Sequence, residues 1–235
     1  MTTTFDSSNP SEIATSTVRL FAGSARPLLP ESRPSAIFKE ELRDKRWLGK
    51  EGLEGDVQAD RRVHGGPEKA LHQYPTGHFR ELALRFPECG ADLVAGSIGE
   101  NLSVEGWDES NVCIGDRFRL GEALIEVSQP RTPCWKIDSR YGVEGMARFI
   151  EEHGLTGWYF RVLEAGSVAP GCVFQLVERR HPELTVAALL AMTRAHRPAP
   201  EMLEGAAVSA LSENWIRKLR ERAARLRQWA KEGKL

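Results

Sequence analysis

Short runs of alternating apolar and polar residues, separated by Gly and Pro, fill residues 17–180. An alternation with a period of two is typical of half-buried β-strands. The clearest example is the segment DRFRLGEALIEVSQ, where a Gly-Glu pair separates two such runs and predicts a hairpin of residues 117–120 with residues 123–127. Many short strands with turn signals between them favour a β-barrel.

Two helical patterns interrupt the strands. The first covers about residues 76–86 and is stopped by Pro87, and the second covers about residues 143–153 and is stopped by Gly154. Residues 1–16 are rich in Ser and Thr and contain no apolar core segment. They predict a disordered lead and not a signal peptide.

After Pro182 the period changes to one that is typical of amphipathic helices. Thr185 is a plausible N-cap for a helix through VAALLAM, a second helical run lies near residues 201–210, and Ser212 precedes a third. The third run carries an apolar stripe at helical spacing: Trp215, Leu219, Ala223, Leu226 and Ala230.

These patterns divide the 235 residues into a lead (1–16), a β-barrel domain (17–180) and a three-helix C-terminal domain (183–235). The fold class expected is mainly β with helices. With 41% apolar and 28% charged residues, the composition is that of an ordinary globular protein with enough material for a core.

The charge balance narrows the choice of partners. The formal net charge is -1, so nucleic acid and anionic membrane are not expected partners, and no apolar run is long enough to span a bilayer. Residues 213–235 carry eight Lys/Arg against three Glu. A solvated charged face is the favoured interpretation of this tail, and a surface for an acidic partner is the alternative. We expect a reduced, cytoplasmic protein.

The cysteines direct attention to one loop. Cysteines stand at positions 89, 113, 134 and 172 with no CxxC pair, and we interpret all but Cys134 as structural. In SQPRTPCWK the positive charges of Arg131 and Lys136 favour a thiolate, and Pro130 and Pro133 stiffen the loop. A buried structural cysteine remains the alternative to a functional one.

Two further segments are candidates for ligand binding. The segment RRVHGGPEKALHQYP (61–75) surrounds two adjacent glycines with side chains suited to phosphate or a planar polar ring, although a surface turn explains it equally well. In GENLSVEG, Gly99 and Asn101 can present a turn and an amide to a ligand, or merely cap a local turn. Motifs for nucleotide P-loops, hydrolase triads, zincins and dinucleotide folds are absent from the sequence.

Taken in order, LEGD, HGGPEKALHQYP, GENL, the GD at 115–116 and SQPRTPCWK resemble the MOSC family and, within it, the bacterial YiiM-like branch. The resemblance covers residues 17–180, and the tail resembles the small helical domain that follows in that branch. It implies a MOSC-type β-barrel that binds the molybdenum cofactor, a molybdopterin with molybdenum and one terminal phosphate. It also implies that Cys134 is the protein's sulfur ligand to molybdenum. The residues that it implies for the cofactor cleft are His64, Lys69, Tyr74, Asn101 and Arg131.

The resemblance further implies an oxidoreductase that reduces N-hydroxylated bases, hydroxylamines and amidoximes, which is a detoxification. Because the sequence shows no flavin, nicotinamide or iron–sulfur signature, we expect electrons to come from a separate reductase. A cofactor carrier without turnover is the main alternative, and a thiol-based interaction protein without metal is a third. A homodimer is left open as the oligomeric state.

Overall fold

The computed structural model describes residues 18–29, 32–59 and 65–233. The disordered lead expected for residues 1–16 therefore lies outside the described residues. The described strands are β1 (Val18–Ala22), β2 (Arg26–Leu28), β3 (Arg33–Ser35), β4 (Glu40–Glu41), β5 (Arg46–Gly49), β6 (Gly52–Leu53), β7 (Leu71–Gln73), β8 (Leu102–Val104), β9 (Arg117–Leu120), β10 (Ala123–Pro130), β11 (Trp158–Glu164), β12 (Gly166–Val168) and β13 (Phe174–Glu178). The α-helices are α1 (His78–Arg85), α2 (Lys136–Tyr141), α3 (Met146–His153), α4 (Val186–Arg194), α5 (Pro200–Gly205) and α6 (Glu213–Lys231).

Eight of the strands form one mixed sheet that curves into a half-barrel, in the order β13-β9-β10-β11-β7-β8-β1-β4. Among the described strands β7 and β8 are parallel and the remaining pairs are antiparallel. The expectation of a mainly β fold with helices is confirmed.

The predicted hairpin is confirmed, with Ala123 opposite Leu120. Its second strand continues past the predicted end to Pro130, which brings the chain directly into the cysteine loop. The β10 strand also pairs along most of its length with β11. Strand β9 pairs with β10 as far as Glu126, and β11 pairs with it to Pro130, so the loop that follows begins at a residue that is paired with β11.

The two predicted helices within the β region are present as α1 and α3. The first ends before Pro87, as expected. The second begins at Met146, three residues later than predicted, because the N-cap Gly145 has a left-handed backbone (φ +87°) that cannot continue the helix. Gly154 ends α3 in the left-handed conformation (φ +73°). Helix α2 was not predicted, since its six residues are too few to show a helical period.

The C-terminal helices pack on the half-barrel. Leu189, Leu203 and Leu219 belong to the same buried apolar cluster as Phe118 and Phe174, whose rings stack at 4.5 Å in the barrel. The division of the chain at residues 180–183 stays a prediction, because the structure joins both sides of that division through one apolar cluster. None of the described helices is both long and apolar enough to cross a membrane.

Predictions for the tail are met in part. The Thr185 side chain caps α4 by accepting a 3.0 Å hydrogen bond from the Ala188 N–H. Helix α5 ends at Gly205, so it is shorter than the predicted run. Ser212 stands at the N-cap of α6 without a side-chain hydrogen bond to the helix, and its backbone N–H donates instead to the Ser128 carbonyl oxygen (3.1 Å). That bond attaches the start of α6 to β10.

The predicted apolar stripe of α6 is buried only at its centre. Leu219, Ala223 and Leu226 are buried, while Trp215 is half-buried and Ala230 is exposed. The stripe therefore anchors the middle of the helix, and the C-terminal turns of α6 project into solvent.

Candidate functional site

A cleft of about 630 Å³ opens between the parallel strand pair and the loop that follows β10. The described residues that line it are Ser35, Ala36, Ile37, Lys39, Asp56, Val57, Gln58, Ala59, Lys69, His72, Ile98, Gly99, Asn101, Arg131, Cys134, Lys136 and Tyr159.

Cys134 lies in the cleft at the end of the proline-rich loop. Its carbonyl oxygen accepts a 3.0 Å hydrogen bond from the Ile137 N–H, which ties the loop to the first turn of α2. The thiol is half-exposed and is not in a disulfide. Cys89 and Cys113, by contrast, are buried, and burial raises the pKa of both thiols, that of Cys113 to about 11. The four cysteines thus differ in access, and Cys134 is the one on the cleft.

Arg131 is buried at the base of the cleft with 8% of its surface exposed. Its backbone N–H donates to the Gly157 carbonyl oxygen at 3.0 Å, and its Nη2 donates to the Ile98 carbonyl oxygen at 3.3 Å. Its Nη1 has no hydrogen-bond partner among the described residues. A buried guanidinium with an unused donor is costly unless a ligand supplies an acceptor.

Gly157 fixes the backbone beneath this arginine. Its φ is +68°, and a Cβ there would lie 2.2 Å from the Gln73 carbonyl oxygen, so only glycine fits. The Gly157 N–H donates to the buried Glu109 carboxylate at 2.7 Å, and that carboxylate also pairs with His78 at 2.7 Å. The Arg131 backbone is therefore held by a buried polar chain behind the cleft.

A second buried network forms the opposite wall. The Asp56 carboxylate accepts hydrogen bonds from Lys39 Nζ, from the Gly23 N–H (2.9 Å) and from Asn101 Nδ2 (2.8 Å). The Asn101 Oδ1 accepts from the His72 N–H at 3.2 Å. Both ends of the Asn101 amide are thus engaged within the protein, so this residue shapes the wall of the cleft.

His72 and Tyr159 form a buried aromatic pair on the floor, with ring centroids 5.3 Å apart. Burial, aided by the charge of Arg131, holds the pKa of His72 well below its usual range, so this imidazole is neutral. Its Nε2 has no hydrogen-bond partner within the described part of the chain. Burial raises the pKa of the Tyr159 phenol.

Lys69 ends a short 3₁₀ helix, Pro67–Lys69, at the rim of the cleft. Its ammonium lies 5.7 Å from the centre of the Tyr159 ring. Burial lowers the pKa of Lys69, and the charge of Lys218 on α6 lowers it further. Gly66, the second glycine of the adjacent pair, has a positive φ (+89°), and its N–H donates to the Gln58 side chain.

Glu100 holds the loop before β8, which supplies part of the cleft. Its buried carboxylate accepts N–H hydrogen bonds from Gly96 (2.5 Å) and Ile98 (3.0 Å). Burial raises the pKa of Glu100 to about 7, while those N–H donors and Arg131 act in the opposite direction.

Four of the six sequence-predicted site residues come together in the cleft: Lys69, Asn101, Arg131 and Cys134. Tyr74 is fully buried behind it, against Phe79 (ring centroids 5.3 Å apart), and its hydroxyl has no partner among the described residues. His64 lies outside the described residues. The cleft roles of these side chains stay predictions.

Several cleft residues were not singled out from the sequence. Asp56 stands inside the quoted LEGD segment, so the motif order was a usable signal for it. His72, in contrast, is one of the side chains of segment 61–75 that the sequence marks as suited to phosphate or a planar polar ring. Lys39 and Tyr159 carry no such signal, since they reach the cleft only through the tertiary fold.

The chemistry of the lining suits an anionic ligand. Four cationic side chains (Lys39, Lys69, Arg131, Lys136) and one carboxylate are among the described residues that line the cleft. A phosphate would meet positive charge, and a polar ring would meet the unused Nη1 of Arg131. No group of three or more metal-ligating side chains is found within the described ranges. The residues present therefore fit a phosphate-bearing cofactor that meets a single thiol.

Comparisons with known proteins agree with this arrangement. The MOSC domain model matches residues 60–175. Protein YiiM of Escherichia coli (strain K12) is 41% identical over 195 residues, which cover 82% of this chain and 86% of YiiM. A protein named Reductase from Gibberella moniliformis (strain M3125 / FGSC 7600) is 34% identical over 170 residues, 72% of this chain but 30% of that longer protein.

Solved crystal structures of YiiM proteins are also similar to this chain. The crystal structure of YiiM from Escherichia coli superposes with a TM-score of 0.76 at 32% identity and covers 89% of this chain and 92% of that one. YiiM from Geobacillus stearothermophilus gives 0.72 at 30% identity, covering 90% and 99%. The ordered motifs, the half-barrel and the cleft thus have one explanation: the chain belongs to the MOSC domain family and is similar to YiiM over most of its length.

Proposed function

We propose that this protein is a molybdenum cofactor-dependent reductase of N-hydroxylated compounds, with Cys134 as the sulfur ligand to molybdenum. MOSC domains are generally associated with molybdenum cofactor binding. The observation that carries the proposal is the half-exposed Cys134 thiol in a cleft that also contains the unused Nη1 of the buried Arg131.

Anion binding is the first task of the cleft. Lys69, Arg131 and Lys136 would bind the terminal phosphate and polar ring atoms of the cofactor, because Arg forms directed hydrogen bonds and Lys acts as a point charge. Lys39 is less suited, since the Asp56 carboxylate already neutralises it. The aliphatic side chains of Ile37 and Ile98 would exclude water from the ligand.

Metal ligation is the second task. A thiolate is a soft ligand of the kind that suits sulfur-bound metal centres. The Cys134 carbonyl bond to Ile137 and the paired end of β10 hold the backbone of Cys134 in place before any ligand arrives. When bound, the cofactor supplies the two-electron chemistry that removes oxygen from an N–O bond.

The reaction balances with a separate donor protein. An N–OH group, two electrons and two protons give an N–H group and water. The electrons would come from a separate reductase, and solvent at the open cleft would supply the protons. The protein's contribution is to bind and orient both cofactor and substrate.

The test is turnover by protein that is made in cells with intact cofactor synthesis. We expect about one molybdenum per chain and reduction of an amidoxime with a chemically reduced dye as donor. Protein from cells that cannot make the cofactor is the control, and it should be inactive.

Each other outcome has a defined meaning. Bound molybdenum without turnover of an amidoxime, a hydroxylamine or an N-hydroxylated base would make the protein a cofactor carrier. Absence of molybdenum from protein made in competent cells would contradict the proposal and favour a thiol-based role for Cys134.

A further inference from the structure

The long helix α6 carries positive charge on one side that the protein itself does not neutralise. Side chains spaced by four, three and four residues lie on one side of a helix. On α6 this spacing defines the basic stripe, which comprises Lys218, Arg222, Arg225 and Trp229.

The charges of the helix fall into two groups. Arg227 is paired with Glu201 and Glu204 of α5, and Arg217 is paired with Glu221. Lys218 and Arg225, in contrast, are exposed, and neither has a carboxylate partner within the described ranges. The whole chain has a net charge of -1, so the basic stripe is a local excess of positive charge.

The stripe is held rigidly. The Arg222 guanidinium donates to the carbonyl oxygens of Thr193 and Ala195 at the C-terminal end of α4. These bonds use an arginine in the way that often completes a helix C-terminus. Since α6 also packs through Leu219 and Leu226 into the barrel cluster, the stripe is fixed relative to the cleft.

The stripe begins at the rim of the cleft. The Ser212 N–H at the start of α6 donates to the Ser128 carbonyl oxygen (3.1 Å), and the Ser128 hydroxyl donates to the Glu68 carbonyl oxygen (2.6 Å). Lys69, the next residue, lines the cleft, and the charge of Lys218 lowers its pKa. At the other end, Trp229 is 43% exposed. Exposed Trp beside Arg is the composition that contributes most at protein–protein interfaces.

We propose that the basic stripe is the surface on which an acidic electron-donor protein docks. This inference rests on the proposed function, which requires a separate donor. Positive charge leading to the cleft rim would steer a partner with an acidic surface towards it, and Trp229 would supply apolar contact area. The donor's redox group would then lie against the side of the protein where the cleft opens.

The experiment compares two charge-reversal pairs in the full-length, cofactor-loaded protein. The stripe variant is Lys218→Glu with Arg225→Glu. The matched control is Arg220→Glu with Lys231→Glu, two exposed cations on the opposite side of α6 that also lack a carboxylate partner within the described residues. Both variants change the net charge by the same amount, so they separate a local surface from general attraction. The probe donor is an acidic flavodoxin, reduced chemically.

Two readouts are needed. The first is flavodoxin affinity by calorimetry at low and high salt, which does not depend on turnover. We expect the stripe variant to bind about tenfold more weakly and the control to stay within about twofold of wild type. The second is the rate of flavodoxin-driven reduction divided by the dye-driven rate, which should fall about tenfold in the stripe variant only.

The proposal is wrong if both variants lose affinity equally, if the stripe variant binds normally, or if wild-type protein does not bind flavodoxin. Binding to anionic phosphatidylglycerol vesicles in place of flavodoxin would make the stripe a membrane surface. Failure of dye-driven turnover, in contrast, would count against the proposed function and would leave the calorimetric result to decide the docking surface.

Discussion

Asn101 Nδ2 donates a 2.8 Å hydrogen bond to Asp56 Oδ2, and this contact joins the GENL and LEGD segments across 45 residues of sequence. The same carboxylate pairs with Lys39, and the two charged side chains are only 6 and 5% exposed. The Asp56 side chain thus holds one wall of the cleft together.

We expect Asp56→Asn to lower the free energy of unfolding by about 3–5 kcal/mol, because it leaves the buried Lys39 ammonium without its counter-charge. Urea denaturation measures this. The double variant Asp56→Asn/Lys39→Met should recover a large part of the loss. Asp44→Asn, at an exposed pair with Arg46, is the control and should change stability by less than about 0.5 kcal/mol. A loss below about 1 kcal/mol for Asp56→Asn would contradict the importance of this network.

Cys134→Ser should reduce amidoxime turnover by at least about 100-fold, since a hydroxyl is a harder and far less acidic ligand than a thiol. Cys172→Ser is the matched control, because Cys172 is also half-exposed but lies beside the Gly121 turn, away from the cleft. Turnover and molybdenum content are measured together. Turnover of the Cys134→Ser variant at the wild-type rate would show that Cys134 is not the metal ligand.

Lys69→Ala and His64→Ala should weaken cofactor retention about tenfold while the fold survives, since each would remove one charge-assisted or polar contact to the cofactor. The prediction for Lys69 rests on its position at the rim of the cleft, and the prediction for His64 rests on the HGGPEK motif alone. Molybdenum content after gel filtration and the melting temperature are recorded side by side, with Lys50→Ala as an exposed control. Unchanged molybdenum in both variants would mean that the loop is only a turn.

Glu100→Gln should flatten part of the pH dependence of stability. Burial raises the folded-state pKa of Glu100 from 4.5 to about 7, so the folded protein keeps this proton at pH values where the unfolded chain has lost it. The contribution is complete below pH 4.5 and is lost as pH rises through 7. The stability of wild type relative to the variant should therefore fall by about 3 kcal/mol over that range. Urea denaturation of both proteins at pH 5 and pH 8 measures this difference. The same change in the free energy of unfolding between the two pH values in wild type and variant would contradict the prediction.

Tyr74→Phe should leave cofactor content unchanged and should not lower the melting temperature. The hydroxyl is buried without a partner among the described residues, so its removal takes away a desolvated polar group. Thermal melts and molybdenum analysis test both points. A fall in molybdenum would instead support the cleft role that the sequence motif implies for Tyr74.

The parts of the fold that could be predicted are those set by neighbouring residues. The hairpin at residues 117–130 follows from alternation around a Gly-Glu turn, and the ends of α1 and α3 follow from Pro87 and Gly154. Helix α2 and the true length of α5 could not be predicted, because runs of six residues carry too little periodicity.

The residues of the cleft fall into the same two groups, those marked by the local sequence and those placed only by the tertiary fold. Cys134 and Arg131 are marked by a local sequence of prolines and charges, and the structure brings both to the cleft. The Lys39–Asp56 pair and the Arg131–Gly157–Glu109 contacts depend on strands that meet only in the folded chain. Tyr74 follows β7 where the chain turns towards α1, and the tertiary packing against Phe79 determines its burial.

The apolar cluster that runs from Val18 to Leu226 also bears on how the chain reaches this state. A ribosome makes about 5–20 residues per second, so the strands are complete several seconds before α6 emerges. During that interval the barrel face that later covers Leu219 and Leu226 stays exposed to water and to other chains. Folding of the half-barrel is therefore expected to finish only after α6 has left the ribosome, and until then a chaperone would compete with aggregation for the unfinished half-barrel.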